Sequence, residues 1–251
     1  MILSWLGLTK PIIYRSKING TITIGTNKKN TALFSGGVTQ SGGEITLMWE
    51  KVIKKVYCHP EFILRYTQDP ELVEWISGSH KMPKTSFAQD LRRAKRVRHD
   101  NILLLGVGGG SVIHAIRRYD KQAMITGIEL DPVMKEVAQK QFGIKEDKKQ
   151  KIIIADAIAW TKKQSRISRL VYGTIIVDLY IGPLNPDKSR TKVFFMQLKK
   201  LVKPHGIILY NAHYQKKNIG EYEAFRKIID KTFENVEEVF TYPLNKVLLL
   251  K

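Results

Sequence analysis

The run Asn101-Ile-Leu-Leu-Leu105 leads directly into Gly106-Val-Gly-Gly-Gly-Ser111, and an apolar-periodic stretch follows. A short apolar run bounded by glycines reads as a buried strand, and the periodicity after it reads as a helix. Few folds accept this order: it is the strand–turn–helix opening of a parallel α/β sheet, with the turn at the carboxyl edge where ligands sit. Gly106 turns out of the strand without a side chain to clash. Gly108 and Gly110 let a ligand approach the backbone, and the N–H groups at the helix start attract negative charge.

Acids at the ends of the next apolar runs strengthen this reading. Met124-Ile-Thr-Gly-Ile-Glu129 ends in a carboxylate placed to accept hydrogen bonds from both hydroxyls of a ribose. Asp131-Pro132 reads as N-cap and first residue of a new helix. Lys151-Ile-Ile-Ile-Ala-Asp156-Ala157 is a further run ending in an acid. Asp156 suits two roles, acceptor for an adenine amino group or cap of the helix that follows, and both stay open. Tyr172-Gly-Thr-Ile-Ile-Val-Asp178 ends in another acid. The pattern points to a nucleoside cofactor, and Ser111, at the sixth position of the glycine motif, disfavours a dinucleotide.

In this order the segments resemble the class I S-adenosylmethionine-dependent transferases, and more narrowly the spermidine synthase (polyamine aminopropyltransferase) family. The resemblance runs over residues 101–213 and more loosely over 14–50, where residues 14–24 match the family's leading hairpin and Gln40-Ser41 its cofactor-touching glutamine. It implies a Rossmann-like, mostly parallel seven-stranded sheet with a reversed last strand, behind a small N-terminal β-hairpin domain. It implies S-adenosylmethionine or its decarboxylated form as cofactor, held by Gln40, Gly106, Gly108, Gly110, Glu129, Asp156 and Ala157.

Three positions depart from the family. Its glycine turn carries an aspartate for the ammonium of decarboxylated S-adenosylmethionine, where this chain has Gly109. An acid there would repel the carboxylate of the ordinary cofactor. Its second pocket motif has two aspartates, and Asp178-Leu-Tyr-Ile-Gly-Pro183 keeps only the first. Its Tyr-His-Glu run is replaced by Met48-Trp49-Glu50. These changes favour methyl transfer to an unknown acceptor over aminopropyl transfer to a polyamine. Asp178 is the first candidate for base or orienter, Tyr180 shapes the acceptor pocket or packs, and His213 reads first as a surface histidine and second as a base suited to neutral pH. Tyr210 reads as packing inside a strand.

Forty-two basic and twenty-three acidic side chains give a formal charge of +19. Such a field attracts polyanions and repels free polyamines, so nucleic acid is a candidate partner, and a non-catalytic nucleic-acid-binding protein on the same fold is a third reading. The most basic stretch is 81–98. There Phe87, Leu91, Ala94 and Val97 share one helical face, and the cations lie away from it, as a solvated face or as a phosphate-binding strip. One cysteine, Cys58, allows no internal disulfide and fits the cytoplasm, where it reads as a packing residue. The apolar residues 1–8 lack a basic leader and a cleavage site, and no run is long enough to span a bilayer. Together with the hairpin they make a homodimer plausible. No histidine, cysteine or acid spacing suggests a metal.

Organisation along the chain follows: an N-terminal β-hairpin domain with a helix over 1–57, an inserted basic helical arm over 58–98, and the cofactor domain over 99–251. Strands are expected at 12–17, 20–25 and 31–34 with an Asn19-Gly20 turn. Helices are expected at 44–57, 190–202 and 221–233, with another opened by Asp69-Pro70. Strands at 206–211, 236–241 and 246–250 complete the sheet, the last two antiparallel because their connection is short.

Overall fold

The computed structural model describes residues 11–26, 31–58, 101–167, 172–215, 219–242 and 244–251. The basic stretch 81–98 and the Asp69-Pro70 helix start lie outside them. Near the N-terminus, β1 (Ile12–Ser16), β2 (Gly20–Thr26), β3 (Thr31–Ser35) and β4 (Val38–Gly42) form an antiparallel four-stranded sheet in sequence order. Ser16 pairs with Gly20, so the first hairpin closes through three residues and Gly20 takes the left-handed conformation beyond them (φ 64°). β4 was not foreseen, because Val-Thr-Gln-Ser-Gly lacks an apolar alternation. Helix α1 (Gly43–Cys58) follows directly.

The larger sheet has seven strands: β5 (Asn101–Leu105), β6 (Met124–Glu129), β7 (Gln150–Ile154), β8 (Tyr172–Val177), β9 (Val202–His213), β10 (Val236–Tyr242) and β11 (Asn245–Leu250). Their spatial order is β10-β11-β9-β8-β5-β6-β7. The strands from β7 to β9 pair parallel, while β11 runs antiparallel between β9 and β10. The expected mostly parallel seven-stranded sheet with a reversed last strand is thus the observed fold. That strand lies inside the sheet, between two neighbours. β9 extends beyond the expected 206–211 at both ends, with His205 at φ 64° and a register shift where β8 and β9 first pair.

Helices α2 (Ser111–Tyr119), α3 (Pro132–Phe142), α4 (Ala157–Ile167), α5 (Lys192–Leu201) and α6 (Ile219–Asp230) connect the strands. Alternation along β5 divides the core. Ile102 and Leu104 face Trp49, Val52 and Ile53 of α1 and Ile113 and Ile116 of α2. Leu103 and Leu105 face Phe194, Phe195 and Leu198 of α5 with Phe225 of α6. α1 therefore belongs to the core of the large sheet even though it follows the small one. The small sheet rests on α3, with Ile22, Ile24 and Leu33 against Met134 and Val137. Tyr210 is packed as expected: fully buried, it stacks beside Phe195 and Phe225 at centroid distances of 5.5 and 5.1 Å. Among the described residues no helix is long and apolar enough to cross a membrane.

Candidate active site

Parallel pairing brings the ends of β5, β6 and β8 to one edge, and the glycine turn threads between them. Gly106 N donates to Ile128 O (2.9 Å), and Asp178 N donates to Leu105 O (2.8 Å). Gly106 has φ 87°, and a Cβ there would fall 2.2 Å from the carbonyl oxygen of Asp178. Only glycine satisfies both the conformation and the contact. Gly108 and Gly110 also take positive φ, 54° and 88°.

Glu129, 7% exposed, is the clasp of this turn. Its Oε2 accepts from Val107 N (2.9 Å) and Gly108 N (3.0 Å), and its Oε1 accepts from Asp131 N (3.0 Å). Burial raises its pKa, and these backbone bonds oppose the rise. A ribose would share a carboxylate already engaged by backbone, a contact that the sequence reading did not foresee. Asp156 caps α4, accepting at Oδ1 from Ile158 N (2.8 Å) and Ala159 N (3.1 Å). The cap leaves Oδ2 uninvolved. Ala157 behind it is buried. Asp131 caps α3 through Val133 N (2.9 Å), while its Oδ2 accepts from Ser16 Oγ and Asn19 Nδ2 of the first hairpin.

The small sheet reaches the turn through β4. Ser41 Oγ accepts from Gly109 N at 2.8 Å, and a Cβ on Gly109 would fall 2.7 Å from Ser41 Cβ. Gly42 N donates to Ser111 Oγ (3.1 Å). Gln40 donates from Nε2 to Gly182 O (2.9 Å), which ties β4 to the loop after β8.

Beside Gly106 stands Asp178, whose Oδ1 accepts from Asn211 Nδ2 (2.8 Å). Trp49 Nε1–H is buried without a well-formed hydrogen bond, yet lies close enough to the carboxylate to lower its pKa. Desolvation outweighs both donors, Glu129 adds repulsion, and the carboxyl is pushed up to about 6. Tyr180 donates to Asn211 O (3.3 Å), and burial next to Asp178 holds its phenol well above the usual range, so it stays protonated. His213 is 7% exposed, which corrects the reading of a surface histidine: β9 runs two residues past the expected end and carries the ring into the cleft wall. Burial lowers its pKa, so the imidazole is neutral at neutral pH.

Asn185 fastens the loop. Its Nδ2 donates to Leu179 O (2.8 Å) and Asn211 O (3.0 Å), and its Oδ1 accepts from His213 N (2.6 Å). Sequence reasoning missed Asn185, Asn211, Asn245 and the contact of Ser41. Asparagine and serine are ordinary loop and strand-end residues, and only the fold brings these together. The cleft holds about 1470 Å³ and is lined by Gln40, the glycine turn, Glu129, Asp156, Asp178, Tyr180 and His213. Among the described residues its charged walls are Glu44, Glu50, Glu129, Asp156, Asp178 and Asp187 against Lys188. An acidic cleft has thus formed in a chain of charge +19. Among the described residues no cluster of three histidines, cysteines or acids is placed to hold a metal.

Comparison with known proteins fits this architecture. An eEF1A lysine and N-terminal methyltransferase homolog of Drosophila melanogaster is 27% identical over 130 residues, which are 50% of this chain and 19% of that protein. The polyamine aminopropyltransferase of Sulfolobus acidocaldarius is 26% identical over 151 residues, 57% of this chain and 48% of that protein. The chain therefore spans about a fifth to a half of the length of these curated relatives. A spermidine synthase solved with the transition-state analogue AdoDATO superposes with a TM-score of 0.68 at 16% identity, covering 97% of this chain and 74% of that one. Human methyltransferase-like protein 13, solved with SAH, superposes at 0.58 and 18% identity, covering 83% and 81%. These likenesses establish a shared fold. Residues 88–247 match the spermine/spermidine synthase domain, the greater part of the chain and all of the large sheet except the end of β11, and on that match the chain belongs to the spermine/spermidine synthase family.

Proposed function

We propose that the protein is an S-adenosylmethionine-dependent transferase that moves a methyl group to an amine. The observation that carries this reading is the sign of the cleft: among the described residues six carboxylates and one lysine line it, within a strongly basic chain. A sulfonium cofactor and an ammonium acceptor are both cations and gain from such walls, whereas a nucleic acid would be repelled from them. In this reading Gln40, Gly106, Gly108, Gly110, Glu129, Asp156 and Ala157 hold the cofactor. Gly109 adds no charge against a cofactor carboxylate. The sulfonium is already a good leaving group, so the protein's work is to align the acceptor nitrogen and accept its proton. Asp178 would take that proton, Tyr180 and neutral His213 would shape the acceptor side, and the thioether product would stay with the residues that hold the cofactor.

Leu47, Ile181 and Leu244, about half exposed at 56%, 53% and 49%, give the mouth of the cleft an apolar rim suited to an acceptor larger than a free polyamine. The relatives include proteins named as lysine and N-terminal methyltransferases, which is consistent with an amine acceptor. The test is titration calorimetry with S-adenosylmethionine, then transfer of labelled methyl to lysine-bearing proteins and to putrescine. Absence of cofactor binding at millimolar concentration would sink the proposal.

A second reading is aminopropyl transfer from decarboxylated S-adenosylmethionine, favoured by the family match over residues 88–247 and by the same acidic walls. Formation of spermidine from putrescine would establish it. The formal charge of +19 keeps a nucleic-acid partner as a further reading, and RNA or DNA affinity with a steep salt dependence would favour it. A cytoplasmic location and a homodimer through β1, an edge strand among the described residues with Ile12 and Ile13 about half exposed, complete the reading.

A further inference from the structure

Asn211 stands at the centre of the acceptor end. It is 3% exposed, and its side chain bonds in two directions. Nδ2 donates to Asp178 Oδ1 (2.8 Å), and Oδ1 accepts from Asn245 Nδ2 (3.0 Å). The order of the chain is forced. A carboxylate only accepts, so Asn211 must turn its NH₂ to Asp178, and its carbonyl is then left for the NH₂ of Asn245. The backbone of Asn211 is held as firmly, its carbonyl accepting from Tyr180 Oη and Asn185 Nδ2. Asn245 begins β11, next to Leu244 at the mouth of the cleft. It is anchored by pairing opposite His213, while Tyr214 N donates to Leu244 O (2.8 Å). None of these asparagines was singled out from sequence.

We propose that Asn211 and Asn245 form a positioning relay: Asn245, on the turn that rims the cleft, orients Asn211, and Asn211 fixes the rotamer and proton affinity of Asp178. This rests on the reading of Asp178 as the group that accepts the acceptor's proton. The titratable groups that interact with that carboxyl are Glu129 at the end of β6 and Tyr180 on the loop after β8. The relay joins the carboxylate to the rim through two hydrogen bonds. A charge-assisted hydrogen bond stabilises the ionised form. Breaking the relay therefore leaves Asp178 harder to ionise and free to rotate.

The test reads Asp178 directly, by following its side-chain carboxyl carbon in an NMR pH titration of wild type, Asn211→Leu and Asn245→Leu. The expected result is an upward shift of about one pH unit in Asn211→Leu and a smaller shift in the same direction in Asn245→Leu. Under the proposed chemistry, kcat/KM on the acid limb falls about tenfold per unit, while the affinity for cofactor is unchanged. Asn211→Gln, which keeps the amide, restores part of the shift. If Asn211→Leu does not fold, Asn245→Leu at the less buried position carries the test alone. An Asp178 titration unmoved in the variants that fold would overturn the relay. Loss of cofactor binding in the wild type would instead overturn the functional reading and leave the titration result standing.

Discussion

Gly109 and Ser41 offer a cofactor switch that can be worked from the contacts. An aspartate at 109 would place its Cβ 2.7 Å from Ser41 Cβ and 3.1 Å from both Ser41 Oγ and Phe142 Cε2. Ser41 must therefore move, and its bond from Gly109 N is lost. Overpacking of this kind costs about 1–3 kcal/mol, and the hydrogen bond about 1 kcal/mol more. Gly109→Asp alone should thus lower the unfolding free energy by about 2–4 kcal/mol. Ser41→Gly removes the Cβ and Oγ that obstruct the new side chain, so the double variant Gly109→Asp/Ser41→Gly should recover much of the packing term. Under the proposed reading of Gly109, the new carboxylate of the double variant faces the amino-acid end of the cofactor. Two like charges about 5 Å apart at an effective dielectric near 20 repel by about 3 kcal/mol, roughly a hundredfold in affinity. The assay is calorimetric titration of wild type and double variant with S-adenosylmethionine and its decarboxylated form, beside urea unfolding of each. The expectation is a weakening for the carboxylated cofactor of one to two orders of magnitude, with the decarboxylated form bound equally or better. If the stable double variant binds both forms with the wild-type preference, position 109 does not face the carboxylate and the argument for methyl transfer from Gly109 fails.

Other outcomes follow from the same geometry. Because the Asp178 carboxyl is pushed up to about 6, the folded protein holds its proton between about pH 4 and 6 while the unfolded chain releases it. Its contribution is most favourable below pH 4 and is lost as pH rises to 6, by about 3 kcal/mol at most; the difference in stability between wild type and Asp178→Asn should trace that slope in urea titrations from pH 4 to 7. Gly106→Ala places a Cβ 2.2 Å from Asp178 O at a φ of 87°, so it should cost about 3 kcal/mol or more and abolish cofactor binding, read by thermal unfolding and calorimetry. Asp131→Ala removes the α3 cap and the acceptor for Ser16 and Asn19, and should cost about 2 kcal/mol in urea unfolding, more than a cap alone. Trp49→Ala empties a fully buried site between α1 and the sheet, and should cost about 3–5 kcal/mol and perturb the Asp178 titration by removing the indole beside it.

What the sequence determined by itself was the large sheet and the edge that carries the site. Apolar runs ending in Glu129, Asp156 and Asp178 are legible because a buried parallel strand must be nearly all apolar, and its last residue is the first that can be polar. The glycine turn is legible because backbone at positive φ in close contact leaves little choice but glycine. The reversal of β11 is legible because its connection to β10 is too short for a crossover. Tertiary structure decided the rest. β4 is held as a strand by pairing with β3, despite a sequence with little strand character. α1 follows the small sheet but packs into the large one, since its apolar face of Trp49, Val52, Ile53 and Val56 matches the face of β5 left uncovered by α2. The polar contacts of the site join residues far apart in the chain: Ser41 to Gly109, Gln40 to Gly182, Asn245 through Asn211 to Asp178. Asparagine and serine make such bonds wherever geometry allows, so their identity carries no address. The sign of the cleft is equally a tertiary fact, because acids scattered along a basic chain meet only where the strand ends, the loop after β8 and α1 converge.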